Sequence, residues 1–186
     1  MTVEELVERI LRYRNYFGER GGVTVSGGEP LCQAAFVTEL FRRLRELGIS
    51  TALDTSGYRL DGQVRELLSV TDLVLLDYKY TNADDYLRYT GCELARTEEF
   101  LAYLQEQGIP TWIRHVLIPD YNDRDESLAK LSALRKTYSC IQKIELLPFR
   151  KLCLEKYREM GIVFPLENTP EMPVERMEEL KVRFEL

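Results

Sequence analysis

Five short apolar runs alternate with amphipathic segments along this chain, and that alternation restricts the fold more than any other feature of the sequence. Runs typical of buried or half-buried strands cover 23–26, 50–54, 72–77, 111–117 and 141–147. Helical periodicity predicts helices at 2–11, 33–47, 62–68, 82–87, 97–107, 126–138 and 173–186. Strands that alternate with helices on short connections form parallel sheets with right-handed crossovers. We therefore predict an α/β fold with about five strands, either an open sheet or a barrel.

The length of the chain indicates one domain. A chain of 186 residues is long enough to bury a sizeable core and stays near the upper end of single-domain size. The domain is expected to span 1–186. Within it, 161–186 comprises an irregular, proline-containing stretch and a C-terminal helix packed on the rest.

Composition limits the partners and the compartment. The formal net charge of −6 and the pI of about 5.1 come from scattered acidic residues, which argues against nucleic acid and anionic membranes as partners. No apolar run reaches the ~20 residues that span a bilayer, and the N-terminus lacks the regions of a signal peptide. A cytoplasmic protein is expected. Reduced thiols are expected as well, because no Cys-x-x-Cys pair exists among Cys32, Cys92, Cys140 and Cys153.

The turn after the first predicted strand is the most informative short motif. In Ser26-Gly27-Gly28-Glu29-Pro30, two glycines remove side chains at the point where the strand ends, so a ligand can approach the backbone closely. Pro30 favours an extended conformation at Glu29. Such a turn suits the ammonium group of an amino acid, although taken alone it is more often an ordinary strand-to-helix connection.

Polar or glycine residues stand at the carboxyl end of every predicted strand. The segments are Gly27-Gly28-Glu29, Asp54-Thr55-Ser56, Asp77 with Lys79, Arg114-His115 and Phe149-Arg150. In βα barrels the chemistry gathers at this edge. Asp54, Asp77 and Arg114 still lie inside an apolar strand register, where a buried charge needs a partner. His115 alternates away from Arg114, so we predict that it packs or bonds locally.

Longer motifs resemble a known family. They are Gly-Gly-Val-Thr-Val-Ser-Gly-Gly-Glu-Pro-Leu (21–31), Thr-Ala-Leu-Asp-Thr-Ser-Gly-Tyr (51–58), Thr-Asp-Leu-Val-Leu-Leu-Asp-Tyr-Lys (71–79), Trp-Ile-Arg-His-Val-Leu-Ile-Pro (112–119) and Lys-Ile-Glu-Leu-Leu-Pro-Phe (143–149). In this order they resemble the pyruvate formate-lyase activating enzymes, which are radical S-adenosylmethionine (SAM) oxidoreductases. The resemblance runs from Met1 almost to the C-terminus.

The resemblance implies a partial parallel βα barrel of the radical SAM type that binds SAM and a four-iron four-sulfur cluster (4Fe-4S). In this family, reduced flavodoxin or ferredoxin supplies an electron and SAM is cleaved to a 5′-deoxyadenosyl radical. That radical abstracts hydrogen from a glycine of the partner, a glycyl-radical enzyme such as pyruvate formate-lyase. The implied activity is therefore SAM-dependent generation of a glycyl radical.

The resemblance also assigns nine cofactor-binding positions, which are Gly27, Gly28, Glu29, Asp54, Thr55, Asp77, Lys79, Val116 and Arg150. The first three match the segment that receives the methionyl amino group of SAM. The next three lie near the SAM carboxylate in the family, where a monovalent cation bridges them. Two carboxylates would repel the SAM carboxylate. Asp54 and Asp77 therefore require a cation, or Lys79, between themselves and that group. For Arg114, a structural salt bridge is at least as good an interpretation as a catalytic role.

Three departures from the family pattern qualify these assignments. The cluster-binding Cys-x-x-x-Cys-x-x-Cys motif occurs nowhere in this sequence. By resemblance it lies upstream of Met1 with the first barrel strand, so we expect a truncated chain that lacks the cluster ligands, is inactive alone and leaves an unpaired sheet edge beside 23–26. Arg150 stands where the family usually has histidine, and Asp120 replaces a common glycine. The alternatives are a non-catalytic SAM-binding module and a partner-docking module.

Overall fold

Five parallel strands form one open sheet in the order β1-β2-β3-β4-β5. The computed structural model describes residues 1–18 and 21–186, and within them the strands β1 to β5 cover Gly22–Val25, Ser50–Thr55, Leu73–Asp77, Thr111–Leu117 and Ile141–Pro148. Each predicted strand is present within a residue or two of its expected bounds. The α/β class and the partial-barrel architecture are confirmed.

The described ranges contain nine α-helices. Helices α1 to α9 cover Val3–Leu11, Arg14–Phe17, Ala34–Glu46, Gly62–Leu68, Ala83–Thr90, Leu94–Gln107, Asp125–Thr137, Leu154–Glu159 and Val174–Phe184, and a 3₁₀ turn, Pro30–Gln33, leads into α3. Helix α1 begins with a capping box, in which Thr2 and Glu5 exchange side-chain to backbone hydrogen bonds. None of these helices is both long and apolar enough to cross a membrane.

The sequence prediction missed two short helices and shortened two others. Helix α5 continues to Thr90, where Gly91 in the left-handed conformation ends it, and α6 begins three residues early at Leu94. Helices α2 and α8 were not predicted. Helix α8 has no side-chain cap, and its Tyr157 packs on Phe164, with ring centroids 5.0 Å apart. A helix of six residues that depends on such a contact leaves little local signal.

The two faces of the sheet differ in their exposure. Along β2, β3 and β4, fully buried residues such as Leu53, Leu76 and Ile113 alternate with partly exposed ones. The apolar run at 72–77 therefore forms a half-buried strand, because Leu73 and Leu75 remain partly exposed. An open sheet covers only the face on which its helices pack, and the opposite face stays accessible to ligands.

His115 lies on the covered face and makes a local bond, as predicted. Its side chain is fully buried, and its Nδ1 lies 2.5 Å from the backbone carbonyl oxygen of Tyr78. A carbonyl only accepts, so Nδ1 carries the proton. Nε2 makes no hydrogen bond within the described residues. Burial lowers the pKa of His115 to about 4.

We expect the stability of the protein to fall as the pH decreases from about 6.5 to about 4. The unfolded imidazole binds a proton near pH 6.5, whereas the buried one stays neutral down to about pH 4, so acid favours the unfolded state in this window by roughly 3 kcal/mol in total. Urea unfolding across this range measures the loss. The chain contains a single histidine, so the imidazole resonances in an NMR titration report the pKa of His115 alone. Titration near pH 6.5 in the folded protein would contradict the prediction.

Candidate functional site

A cavity of about 580 Å³ opens at the carboxyl ends of β1 to β4. Seven of the nine positions predicted for SAM line it, namely Gly27, Gly28, Glu29, Asp54, Thr55, Asp77 and Lys79. Ligand pockets in parallel α/β proteins lie at this edge, and their volumes fall between about 300 and 1,000 Å³. The cavity is therefore a candidate ligand site of suitable size.

The glycine turn forms one wall of the cavity. Gly27 and Gly28 have φ angles of 87° and 57°, in the left-handed region that favours glycine. A side-chain carbon placed on either glycine would meet no atom within 4 Å, so the backbone of the turn faces open space. The conformation thus leaves main-chain polar groups accessible from the cavity.

Glu29 holds this turn against the end of β2. Its Oε1 accepts hydrogen bonds from the Leu31 amide at 3.1 Å and from Thr55 Oγ1 at 2.6 Å. Its Oε2 accepts from the amide and the hydroxyl of Ser56, at 3.0 and 2.6 Å. A carboxylate offers about four acceptor positions, so these four bonds use its capacity. Glu29 therefore shapes the cavity by fixing two loops and has little capacity left for a ligand.

A network of charged side chains forms the floor of the cavity. Arg114 Nη1 lies 2.6 Å from Asp54 Oδ2, and Arg114 Nε lies 4.0 Å from Asp77 Oδ1. Arg114 on β4 thus reaches across β3 to β2, where it supplies a cation between the two carboxylates. Burial raises the pKa of Asp77, and the nearby cations of Lys79 and Arg114 oppose this increase. The side chains of Arg114, Asp54 and Asp77 are between 20% and 34% exposed, so solvent partly screens these pairs.

Two predicted positions lie outside the lining of the cavity. Val116 is 40 % exposed on the accessible face of β4. Arg150 donates from Nη1 to the carbonyl of Met172 at 2.7 Å and pairs with Glu171 at 3.5 Å. The arginine at this position therefore binds the segment before α9. Contacts of Val116 and Arg150 with SAM stay predictions.

Several lining residues were not assigned from the sequence. Besides Arg114, they are Cys32, Ser56, Tyr58, Tyr86, Thr90 and Cys92. Ser56 and Tyr58 belong to the motif at 51–58, and their closeness in sequence to Asp54 could have indicated that they line the same cavity. The residues at the end of α5 carried no such signal, because tertiary contacts hold that helix end in place: the hydroxyls of Tyr86 and Thr97 lie 2.8 Å apart, and the Tyr89 ring stacks on that of Tyr80.

The described residues contain no group of three or more His, Cys, Asp or Glu side chains placed to hold a metal ion. All four cysteines are free, and they range from exposed Cys32 to buried Cys140. An iron-sulfur cluster needs about three or four thiolates converging on one point. The side chains in these ranges do not form that arrangement.

Known proteins with a similar sequence or fold indicate the superfamily of this chain. The sequence pattern of the Radical SAM superfamily matches residues 1–132. A domain structure from the pyruvate-formate lyase-activating enzyme of Bacteroides vulgatus superposes with a TM-score of 0.71 over 89% of this chain and 95% of that one, at 20% identity. SuiB of Streptococcus suis, in its SAM-bound crystal structure, gives 0.64 over 78% of this chain and 33% of that one, also at 20% identity. These structural similarities support the fold.

Closer relatives define the family. The chain is 38% identical to the pyruvate formate-lyase-activating enzyme of Clostridium pasteurianum over 97% of its own length and 76% of that protein. It is 39% identical to the pyruvate formate-lyase 1-activating enzyme of Escherichia coli K12, covering 97% of this chain and 75% of that one. The chain therefore belongs to the pyruvate formate-lyase-activating enzyme family, within the radical SAM superfamily.

We expect Glu29→Gln to lower the free energy of unfolding by about 1–3 kcal/mol. The amide nitrogen would replace one carboxylate oxygen and face hydrogen-bond donors, which leaves a donor without an acceptor. Urea unfolding measures the loss. The control is Glu39→Gln, because Glu39 is half exposed and lies 3.8 Å from Arg42, so its loss should stay within about 0.5 kcal/mol. Equal losses in the two variants would show that the Glu29 bonds add no stability.

Proposed function

We propose that the cavity binds SAM and that the chain is the SAM-binding part of an enzyme that generates a glycyl radical. The observation that carries this proposal is the charge of the cavity. Three carboxylates, Glu29, Asp54 and Asp77, face two cations, Lys79 and Arg114, so the lining carries an excess of negative charge. The ammonium and carboxylate of SAM cancel each other and its sulfonium leaves one positive charge, which complements this excess.

The methionyl end of SAM is proposed to lie on the glycine turn. The accessible backbone of Gly27 and Gly28 would accept hydrogen bonds from the ammonium group, while Glu29 keeps the turn in place. The SAM carboxylate would face Lys79 and Arg114. When bound, SAM supplies the adenosyl group that this family uses to abstract hydrogen.

The proposed monovalent cation at Asp54, Thr55 and Asp77 competes with contacts already present. Asp54 is paired with Arg114, and the Thr55 hydroxyl donates to Glu29. We therefore assign the positive charge between the two carboxylates to the Arg114 guanidinium. A monovalent ion at this position would have to displace it from Asp54.

The partner follows from the family. The relatives are named for activating pyruvate formate-lyase, so we propose a glycyl-radical enzyme as the substrate of the complete activity. Reduced flavodoxin or ferredoxin is the electron donor expected for the family. The chain spans about three quarters of the length of these relatives.

We expect Asp54→Asn to weaken SAM binding by about tenfold or more. The change removes one negative charge from the cavity, which lowers the excess that the sulfonium complements, and it takes away the partner that holds the Arg114 guanidinium in its place opposite the SAM carboxylate. Isothermal titration calorimetry of the isolated chain measures this affinity. S-adenosylhomocysteine lacks the sulfonium charge and should bind more weakly than SAM to the unaltered chain.

The matched control is Asp125→Asn. Asp125 also pairs with an arginine, Arg183, but it lies outside the cavity lining, so its loss should leave the SAM affinity unchanged. Absence of saturable SAM binding to the unaltered chain would reject the proposed function. Equal effects of the two substitutions would reject the assignment of the site.

A second candidate, SAM binding without reductive cleavage, is favoured by the cysteine arrangement. The sequence has no Cys-x-x-x-Cys-x-x-Cys motif, and the described residues place no three metal-binding side chains together. After anaerobic reconstitution with iron and sulfide, we therefore expect this chain to show no cluster absorbance and to release no 5′-deoxyadenosine. Stoichiometric iron together with 5′-deoxyadenosine formation would contradict this and support activity of the chain alone.

A further inference from the structure

Asn122 is a buried polar residue in the loop between β4 and α7. Only 2% of its surface is exposed, and its amide makes three hydrogen bonds to backbone groups. Nδ2 donates to the carbonyls of Val116 at 2.8 Å and Lys79 at 3.2 Å, and Oδ1 accepts from the Ile118 amide at 2.8 Å. One side chain therefore joins the end of β4 to the segment that follows β3.

That segment has little strand pairing of its own. The pairing between β3 and β4 ends at Asp77 and Arg114, with one further bond from the Tyr78 amide to the Arg114 carbonyl. Lys79 lies beyond this point, yet it lines the cavity, and its charge opposes the rise in the pKa of Asp77. Backbone outside a strand ladder is held only by the additional bonds it makes.

Two buried side chains supply those bonds. His115 Nδ1 donates to the carbonyl of Tyr78, and Asn122 Nδ2 donates to the next carbonyl, that of Lys79. The loop that delivers Asn122 contains Asp120 with φ 67°, a conformation that costs free energy for a residue other than glycine. The Asp120 amide bonds to Asp123 Oδ1 at 2.9 Å, which supports this turn.

We infer that Asn122 is a positioning residue for the SAM site: its amide fixes the backbone of Lys79, and so the place of the Lys79 ammonium in the cavity. The inference rests on the proposed function for its ligand. The contact between Asn122 and the Lys79 backbone is independent of the proposed function and can be tested without SAM.

The backbone test is hydrogen exchange of the unliganded chain followed by mass spectrometry. Asn122→Ala should raise the exchange of peptides that cover 78–81 while leaving those from β5 unchanged. The control is Thr51→Val, which removes a buried hydroxyl that bonds to Val70 and Asp72 at the other end of β2. That variant should lose stability and keep the exchange of 78–81. Unchanged exchange in Asn122→Ala would overturn the inference, whether or not SAM binds.

The ligand test is a double-mutant cycle in SAM affinity, at a temperature where every variant is folded. Asn122→Ala should weaken binding by about tenfold, the lower end of what the loss of a side chain behind a ligating group costs at metal sites. In a Lys79→Met background the same change should have almost no effect, because its target is absent. Additive effects would show that Asn122 does not act through Lys79. Failure of the unaltered chain to bind SAM would reject the proposed function and leave the exchange result to decide the inference.

Discussion

Parallel pairing of five strands is the constraint on which the rest of the structure depends. It brings every carboxyl end to one edge, so polar groups far apart in sequence meet there. Because side chains alternate along a strand, His115 is buried under the helices while its neighbour Arg114 points to the accessible face. The same alternation keeps the charges of the cavity on one face and the apolar core on the other.

The charges at that edge stabilise one another at short range. Arg114 contacts Asp54 directly and lies near Asp77, whose pKa is raised by burial. A partly buried carboxylate is costly unless a cation approaches it, and Arg114 supplies that cation. This arrangement of charges underlies our proposal that the cavity binds a ligand with a positive centre and an anionic end.

Two loops at the cavity are held by polar side chains instead of a strand ladder. Glu29 fixes the glycine turn to the end of β2 with four hydrogen bonds, and Asn122 joins the Lys79 segment to β4 with three. A ligand at the carboxyl edge of a parallel sheet contacts the loops beyond the strands, where the hydrogen bonds between strands have already ended. Side-chain bonds to backbone groups then replace the missing ladder and keep the loops ordered.

The sequence by itself determined the strand order along the chain, the parallel α/β class and the polar positions at the strand ends, because periodicity and turn chemistry are local properties. Its resemblance to a known family also predicted that Asp54, Asp77 and Lys79 belong to one site, and all three line the same cavity. Only the tertiary structure decided which groups satisfy one another. The pairing of Arg114 with Asp54 spans 60 positions, and the bond from Asn122 to Lys79 spans 43, so neither leaves a local pattern in the sequence. Such contacts are selected by the register of neighbouring strands, and that register exists only once the sheet has formed.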